Sequence, residues 1–108
     1  MDNCIREVYA TILDRRDHPV EKSYTHYLFE QGIDKILKKV GEEAAETIIA
    51  AKNGKKEDTV GEIADLTYHL LVMMAQQGIT PEDVRDVLEQ RHGKSGNLKR
   101  FKTVDKNT

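Results

Sequence analysis

The residues best placed to do chemistry in this chain are acids. Glu43-x-x-Glu46 and Glu62-x-x-Asp65 each set two carboxylates three positions apart, which on a helix makes them neighbours. Adjacent antiparallel helices bring all of them together, with Glu42 beside them. Like charges this close repel one another and resist desolvation. Such a group is tenable when some members are protonated, when cations pair with them, or when a divalent ion binds. All-oxygen donors without a His pair favour a hard ion, Mg²⁺ or alternatively Mn²⁺, over zinc. Mg²⁺ keeps waters and takes phosphate oxygens as further ligands, and an ion holding a water beside a phosphate is the starting arrangement for hydrolysis.

The elements that must position these acids read as helices. Of the 108 residues, 33% are charged and 6% aromatic, with no Trp; this balance suits helices with solvated faces better than a β-sandwich. Ile5, Val8, Tyr9, Ile12 and Leu13 recur at helical spacing, predicting a first helix over 2–16. Pro19 breaks it. Ser23 is a candidate N-cap for a short helix or turn over 23–30, with no acid three residues on to complete a capping box. Helices over 34–52 and 57–77 follow, stopped by Asn53-Gly54 and Gly78. Thr80-Pro81-Glu82-Asp83 opens another, with Thr as N-cap and acids at the positive end of the dipole; it runs to about Arg91. Residues 92–108 read as a looser tail with Leu98 and Phe101 as anchors. The expectation is one all-α domain over 1–108, a compact bundle of four to five helices completed by dimerisation.

That last element comes from the helical wheels. In the 34–52 helix, Ile33, Leu37, Val40, Ala44, Ile48 and Ala51 form one stripe, read as the core face; Lys39, Glu42, Glu43 and Glu46 lie opposite. In the 57–77 helix, Val60, Ile63, Thr67, Leu70, Leu71 and Met74 form the stripe, with Asp58, Glu62, Asp65 and His69 opposite. A charged face opposite an apolar one is normally solvated. Here the acid faces also carry Ile49, Ala50, Val72 and Met73. Helices apolar on both sides are covered on both sides, so the acids belong in or beside a second interface, which a second copy of a short bundle would supply.

Several function classes are excluded or disfavoured. The net charge of −2 is spread along the chain and offers no basic stripe for nucleic acid. No stretch approaches the ~18 apolar residues of a membrane span, and the charged N-terminus lacks a signal core. Cys4 is alone, so no internal disulfide or structural zinc site is available. These features point to a cytoplasmic protein without membrane or nucleic-acid partners. A di-iron carboxylate site wants paired Glu-x-x-His motifs, and Glu89-x-x-His92 occurs once. A P-loop ending at Gly93-Lys94-Ser95 fails because Leu88 stands where its first Gly belongs.

The segments Ser23-Tyr24-Thr25, Lys38-Lys39-Val40-Gly41-Glu42-Glu43-Ala44-x-Glu46, Ala50-Ala51-Lys52-Asn53 and Glu62-x-x-Asp65-Leu66-x-Tyr68-His69-Leu70-Leu71 together resemble the phosphoribosyl-ATP pyrophosphohydrolases. These belong to the all-α nucleoside-triphosphate pyrophosphohydrolases, whose hallmark is ExxE followed by ExxD. The resemblance covers roughly residues 5–100. It implies hydrolysis of phosphoribosyl-ATP to phosphoribosyl-AMP and pyrophosphate, the second step of histidine biosynthesis, in a homodimer. With a single Cys, the chain resembles the free-standing form and not the fusion to a zinc-dependent cyclohydrolase.

On this reading Glu43, Glu46, Glu62 and Asp65 are the metal ligands, and Glu42 is a further ligand, the base that orients water, or a solvent-facing helix residue. Lys39, on the acid face, is the better phosphate contact and Lys38 the lesser. Ser23 and Thr25 contact phosphate or ribose, or serve as capping residues. Asn53 contacts substrate or simply ends its helix. Tyr68 and His69 lie beside Asp65 as candidate substrate contacts, His69 alternatively holding a metal-bound water or serving a structural role, and Arg91, with Lys94, reaches phosphates from the last helix and tail. Two other readings stand alongside: a house-cleaning pyrophosphohydrolase acting on non-canonical nucleotides with the same metal site, and a non-enzymatic helical interaction module whose acids are solvated.

Overall fold

The computed structural model describes residues 2–93 as an array of α-helices: α1 (Asp2–Asp17), α2 (Tyr24–Gln31), α3 (Ile33–Asn53), α4 (Lys56–Gln77) and α5 (Pro81–His92). No strand occurs among the described residues, so the all-α expectation holds. Each expected helix is present within a residue or two of its expected bounds. The expected tail anchors Leu98 and Phe101, and Lys94, lie outside the described residues; His92 is the last residue of α5.

Local chemistry explains the boundaries. The Ser23 side chain accepts from the His26 amide at 3.2 Å and starts α2. Gly32 alone joins α2 to α3, with φ +92° and ψ −176°, a conformation essentially restricted to glycine. Gly54 closes α3 in the left-handed region. At α5 the expected Thr80 cap is part of a reciprocal box: Thr80 Oγ1 accepts from the Asp83 amide at 3.2 Å, and Asp83 accepts from the Thr80 amide at 2.9 Å.

The core gathers Tyr9 and Ile12 of α1, Leu28 of α2, Ile36 of α3, and Leu71, Val72 and Ala75 of α4. Ile5, Val8 and Leu13 pack against it, so the whole α1 stripe faces inward as its period requires. α3 and α4 form an antiparallel hairpin, where Thr47 Oγ1 of α3 donates to the Glu43 carbonyl at 2.7 Å and lies 3.3 Å from the Glu62 carbonyl of α4. α1 lies across α4 and is tied to the α4–α5 turn, where Tyr9 Oη donates to the Ile79 carbonyl at 2.6 Å.

The core faces expected for α3 and much of α4 are overturned. The residues of α3 that are buried are Ile36, Glu43 and Ala50, on the side of the acids. Leu37 and Ile48 are 46% and 65% exposed, and Val60 and Ile63 of α4 are 55% and 48% exposed. Of the expected α4 stripe only Leu71 is buried; His69, Val72 and Ala75 of the other side join it. Both helices carry two apolar stripes, and periodicity measures spacing without ranking faces. The ranking comes from α1 and α2, which pack on the acid side.

Among the described residues, the Tyr9 hydroxyl is the one polar tie between the core and the α4–α5 turn. Tyr9→Phe therefore costs about 1–2 kcal/mol, read as a fall in melting temperature of several degrees with helical content unchanged.

Candidate functional site

The acid side of the α3–α4 hairpin places ligand oxygens of Glu43, Glu62 and Asp65 within 4.8 Å of one another. Glu43 is 7% exposed, Glu62 is half-buried and Asp65 exposed, so the cluster opens from the helix interface to the surface. Oε2 of Glu43 and Oε2 of Glu62 are buried and make no hydrogen bond. A buried carboxylate oxygen without a donor forfeits its hydration with nothing in return. Glu46, exposed on α3, completes the expected set through Glu62. Contact with the Glu46 carboxyl, then burial, then the charges of Glu46, Glu43 and Asp65 push the Glu62 carboxyl above its usual range.

One cation answers the cluster among the described residues. Lys39 Nζ lies 3.5 Å from Glu42 and 3.7 Å from Glu43. Burial acts to lower the Lys39 pKa, but the Tyr24 phenol, Glu42 and Glu43 together outweigh it and raise it. A single ammonium against this many carboxylates leaves the site short of positive charge. The donor set is all oxygen, its deepest members are unpartnered, and it opens to solvent on one side; these features fit a hard divalent ion.

Beside the acids stands an aromatic wall. His69, buried on α4, has Nδ1 2.7 Å from the Asp65 carbonyl. A carbonyl only accepts, so Nδ1 carries the hydrogen, and in the neutral ring Nε2 accepts from Tyr24 Oη at 2.9 Å. Tyr24 and Tyr68 both meet the His69 ring edge-on, with centroids 5.7 and 5.4 Å away. Burial foremost raises the Tyr24 phenol pKa, with Lys39 opposing and Glu43 adding to it, which puts this hydroxyl in the field of the acid cluster. Thr25 is buried and its hydroxyl pairs with that of Tyr68.

The structure thus gathers Glu42, Glu43, Glu46, Glu62, Asp65, Lys39 and His69 around one opening, with Tyr68 and Thr25 at its edge. It does not gather the rest. Ser23 serves as the α2 cap. Lys38 is exposed and makes no ion pair among the described residues. Asn53 is the exposed last residue of α3, and Arg91 is exposed in the last turn of α5; no hydrogen bond or ion pair joins either to the cluster among the described residues. Tyr24 was given no role from sequence. Its signal is its place directly after the Ser23 cap, which fixes it in the first turn of α2; its partner, 45 positions away, is a tertiary contact.

Fold and cluster together define an all-α protein with a carboxylate centre carried on a helical hairpin. The family model for phosphoribosyl-ATP pyrophosphohydrolase matches residues 5–92, and the chain belongs to that family. Among curated relatives, a phosphoribosyl-ATP pyrophosphatase of Clostridium novyi is 52% identical over 101 residues, covering 92% of each chain. One of Pelotomaculum thermopropionicum is 61% identical over 90 residues, 83% of this chain and 92% of the relative. The histidine biosynthesis bifunctional protein HisIE of Lactococcus lactis is 59% identical over 97 residues. The chain spans 46% of that bifunctional relative's length, with 90% of its own residues matched.

The raised Glu62 pKa gives a pH signature. The fold favours protonated Glu62, so the metal-free protein loses stability as pH rises from the ordinary value near 4.5 through the higher folded-state value. Glu62→Gln removes that loss: its melting temperature should exceed wild type at pH 7.5 and match it at pH 4 in chelator. A difference independent of pH would place the effect elsewhere. Millimolar Mg²⁺ should raise the wild-type melting temperature and leave that of Glu62→Gln nearly unchanged.

Proposed function

We propose that this chain hydrolyses phosphoribosyl-ATP to phosphoribosyl-AMP and pyrophosphate, within histidine biosynthesis, using Mg²⁺. The observation that carries the reading is the buried Glu43 carboxylate, its Oε2 without a hydrogen-bond partner, facing Glu62 and Asp65 in a member of this family. Relatives covered almost end to end are named phosphoribosyl-ATP pyrophosphatase. Glu43, Glu62 and Asp65, with Glu46 beside them, would hold the ion, which when bound supplies Lewis-acid polarisation of the phosphate linkage and charge neutralisation for departing pyrophosphate.

The chain's own groups do the rest. Glu42 is half in solvent and within reach of Lys39, placed to take a proton from water entering the site. Lys39 swings between its carboxylate partners and incoming phosphate oxygens as a mobile point charge. The Tyr24–His69 wall closes the side of the cluster nearest α2, and His69 is held in one tautomer by the Asp65 carbonyl. Ser23, Lys38, Asn53 and Arg91 are proposed as outer contacts to a substrate longer than the cluster itself.

The protein is proposed to act as a single domain and a homodimer in the cytoplasm. Among the described residues no helix is long and apolar enough to cross a membrane. The exposed apolar residues Leu37, Ile48, Val60 and Ile63 support the dimer. Gly41, on the Leu37–Ala44 side of α3, has nothing within 4 Å of where a Cβ would sit. A helix-interior glycine costs roughly 1 kcal/mol against alanine, and at that position it lets another helix approach closely.

Pyrophosphate release should be Mg²⁺-dependent with phosphoribosyl-ATP and far slower with ATP or dUTP. Preference for the latter would move the protein to the house-cleaning reading, and no release by folded protein would favour the binding module. Glu42→Gln should lower kcat about 10²–10⁴-fold with little change in melting temperature. Ile48→Asp should shift sedimentation from dimer to monomer; an unchanged sedimentation coefficient would remove this face from the interface.

A further inference from the structure

A second feature lies one helical turn from the acids and is not used by the mechanism above. Between α1, α2 and α4 an open cleft of about 220 Å³ is lined by Glu7, Val8, Thr11, Ile12, Thr25 and Tyr68. Tyr68 follows Asp65 by three positions, so the cleft begins about 5–6 Å along α4 from a member of the acid cluster. Sites that enclose a whole drug-sized ligand run to roughly 300–1,000 Å³, so this cleft takes one moiety and not an entire nucleotide.

Its chemistry selects which moiety. Where Thr25 and Tyr68 line the cleft their hydroxyls pair with each other, and Val8, Ile12 and the Tyr68 ring supply the apolar part of the lining. At the α1 side Glu7 and Thr11 stand one turn apart on the same face, both exposed, and neither makes a side-chain hydrogen bond to another described residue. The charged residue in the lining is an acid, which repels phosphate. A carboxylate is instead a double acceptor matched to a pair of neighbouring hydroxyls. Phosphates therefore belong at the metal-binding acids, and an uncharged ring bearing a vicinal diol belongs in the cleft.

We infer that this cleft is the nucleoside subsite of the same active centre, with Glu7 and Thr11 of α1 selecting a ribose over a deoxyribose. The inference rests on the nucleotide reading above. It gives α1 a role in specificity that the acid motifs do not contain.

The direct test needs no turnover. In chelator, adenosine 5′-monophosphate titrated into wild-type protein should move the Val8, Thr11 and Ile12 methyl resonances. It should bind about tenfold more tightly than its 2′-deoxy analogue, and Glu7→Ala should erase that ratio. In turnover, Thr11→Trp fills the cleft and should raise KM for phosphoribosyl-ATP at least tenfold. Ala10→Trp, exposed on another face of α1, should leave it unchanged. Unmoved α1 methyls, equal affinity for the two nucleotides, or equal KM for Thr11→Trp and Ala10→Trp each overturn the subsite. A wild-type protein that releases no pyrophosphate from phosphoribosyl-ATP overturns the activity instead, and the titration then still decides the cleft.

Discussion

The buried carboxylate of Glu43 is the constraint on which the rest of this structure turns. A helix interface ordinarily excludes such a group, because an ionised carboxylate loses several kcal/mol of hydration when it leaves water. Here the neighbours across the interface are themselves acids, Glu62 and Asp65, so packing alone increases the cost. The protein meets it by opening the cluster to solvent on one side and setting Lys39 against Glu42 and Glu43. Two oxygens remain unpartnered even so. A fold that keeps this arrangement sacrifices stability for a concentrated negative field, and such a field suits an ion that brings its own positive charge.

The surroundings follow from the same constraint. α2 is short, eight residues, and would be marginal alone. Its Ser23 cap and buried Leu28 dock it where Tyr24 reaches His69 and Thr25 reaches Tyr68. These contacts give a covered flank to the acid cluster without adding another charge. His69 shows the economy of the arrangement: buried, it satisfies one ring nitrogen within its own helix and the other from α2. α1 serves both sides, burying Tyr9 and Ile12 in the core while turning Glu7, Val8 and Thr11 toward the open cleft.

The outer faces of α3 and α4 complete the account. Leu37, Ile48, Val60 and Ile63 remain exposed because α1 and α2 can cover only one side of the hairpin. A domain of this size buries a modest share of its surface, and these four residues leave exposed apolar side chains on both helices of the hairpin. The hairpin is therefore placed between two environments, the aromatic and acidic side within the chain and the apolar side directed outward.

By itself the sequence determined the helices, their stops and starts, and the pairing of acids within each motif. Those are local properties: caps, glycines in the left-handed region and the 3.6-residue period act within a few positions of where they are written. It also singled out Glu43, Glu46, Glu62 and Asp65 as candidate ligands, because spacing along each helix pairs the acids of each motif; the packing of α3 on α4 is what brings Glu43 to Glu62 and Asp65. What it did not determine was which of two apolar stripes faces inward. Leu37 and Ile48 have the same spacing as a core stripe, and only the packing of α1 and α2 on the other side makes them outer residues. Nor did it pair Tyr24 with His69, or bring Glu7 and Thr11 to the rim of a cleft lined by Tyr68. Those contacts join residues far apart in the chain, and no local rule encodes them; they exist because the tertiary fold sets α1, α2 and α4 side by side.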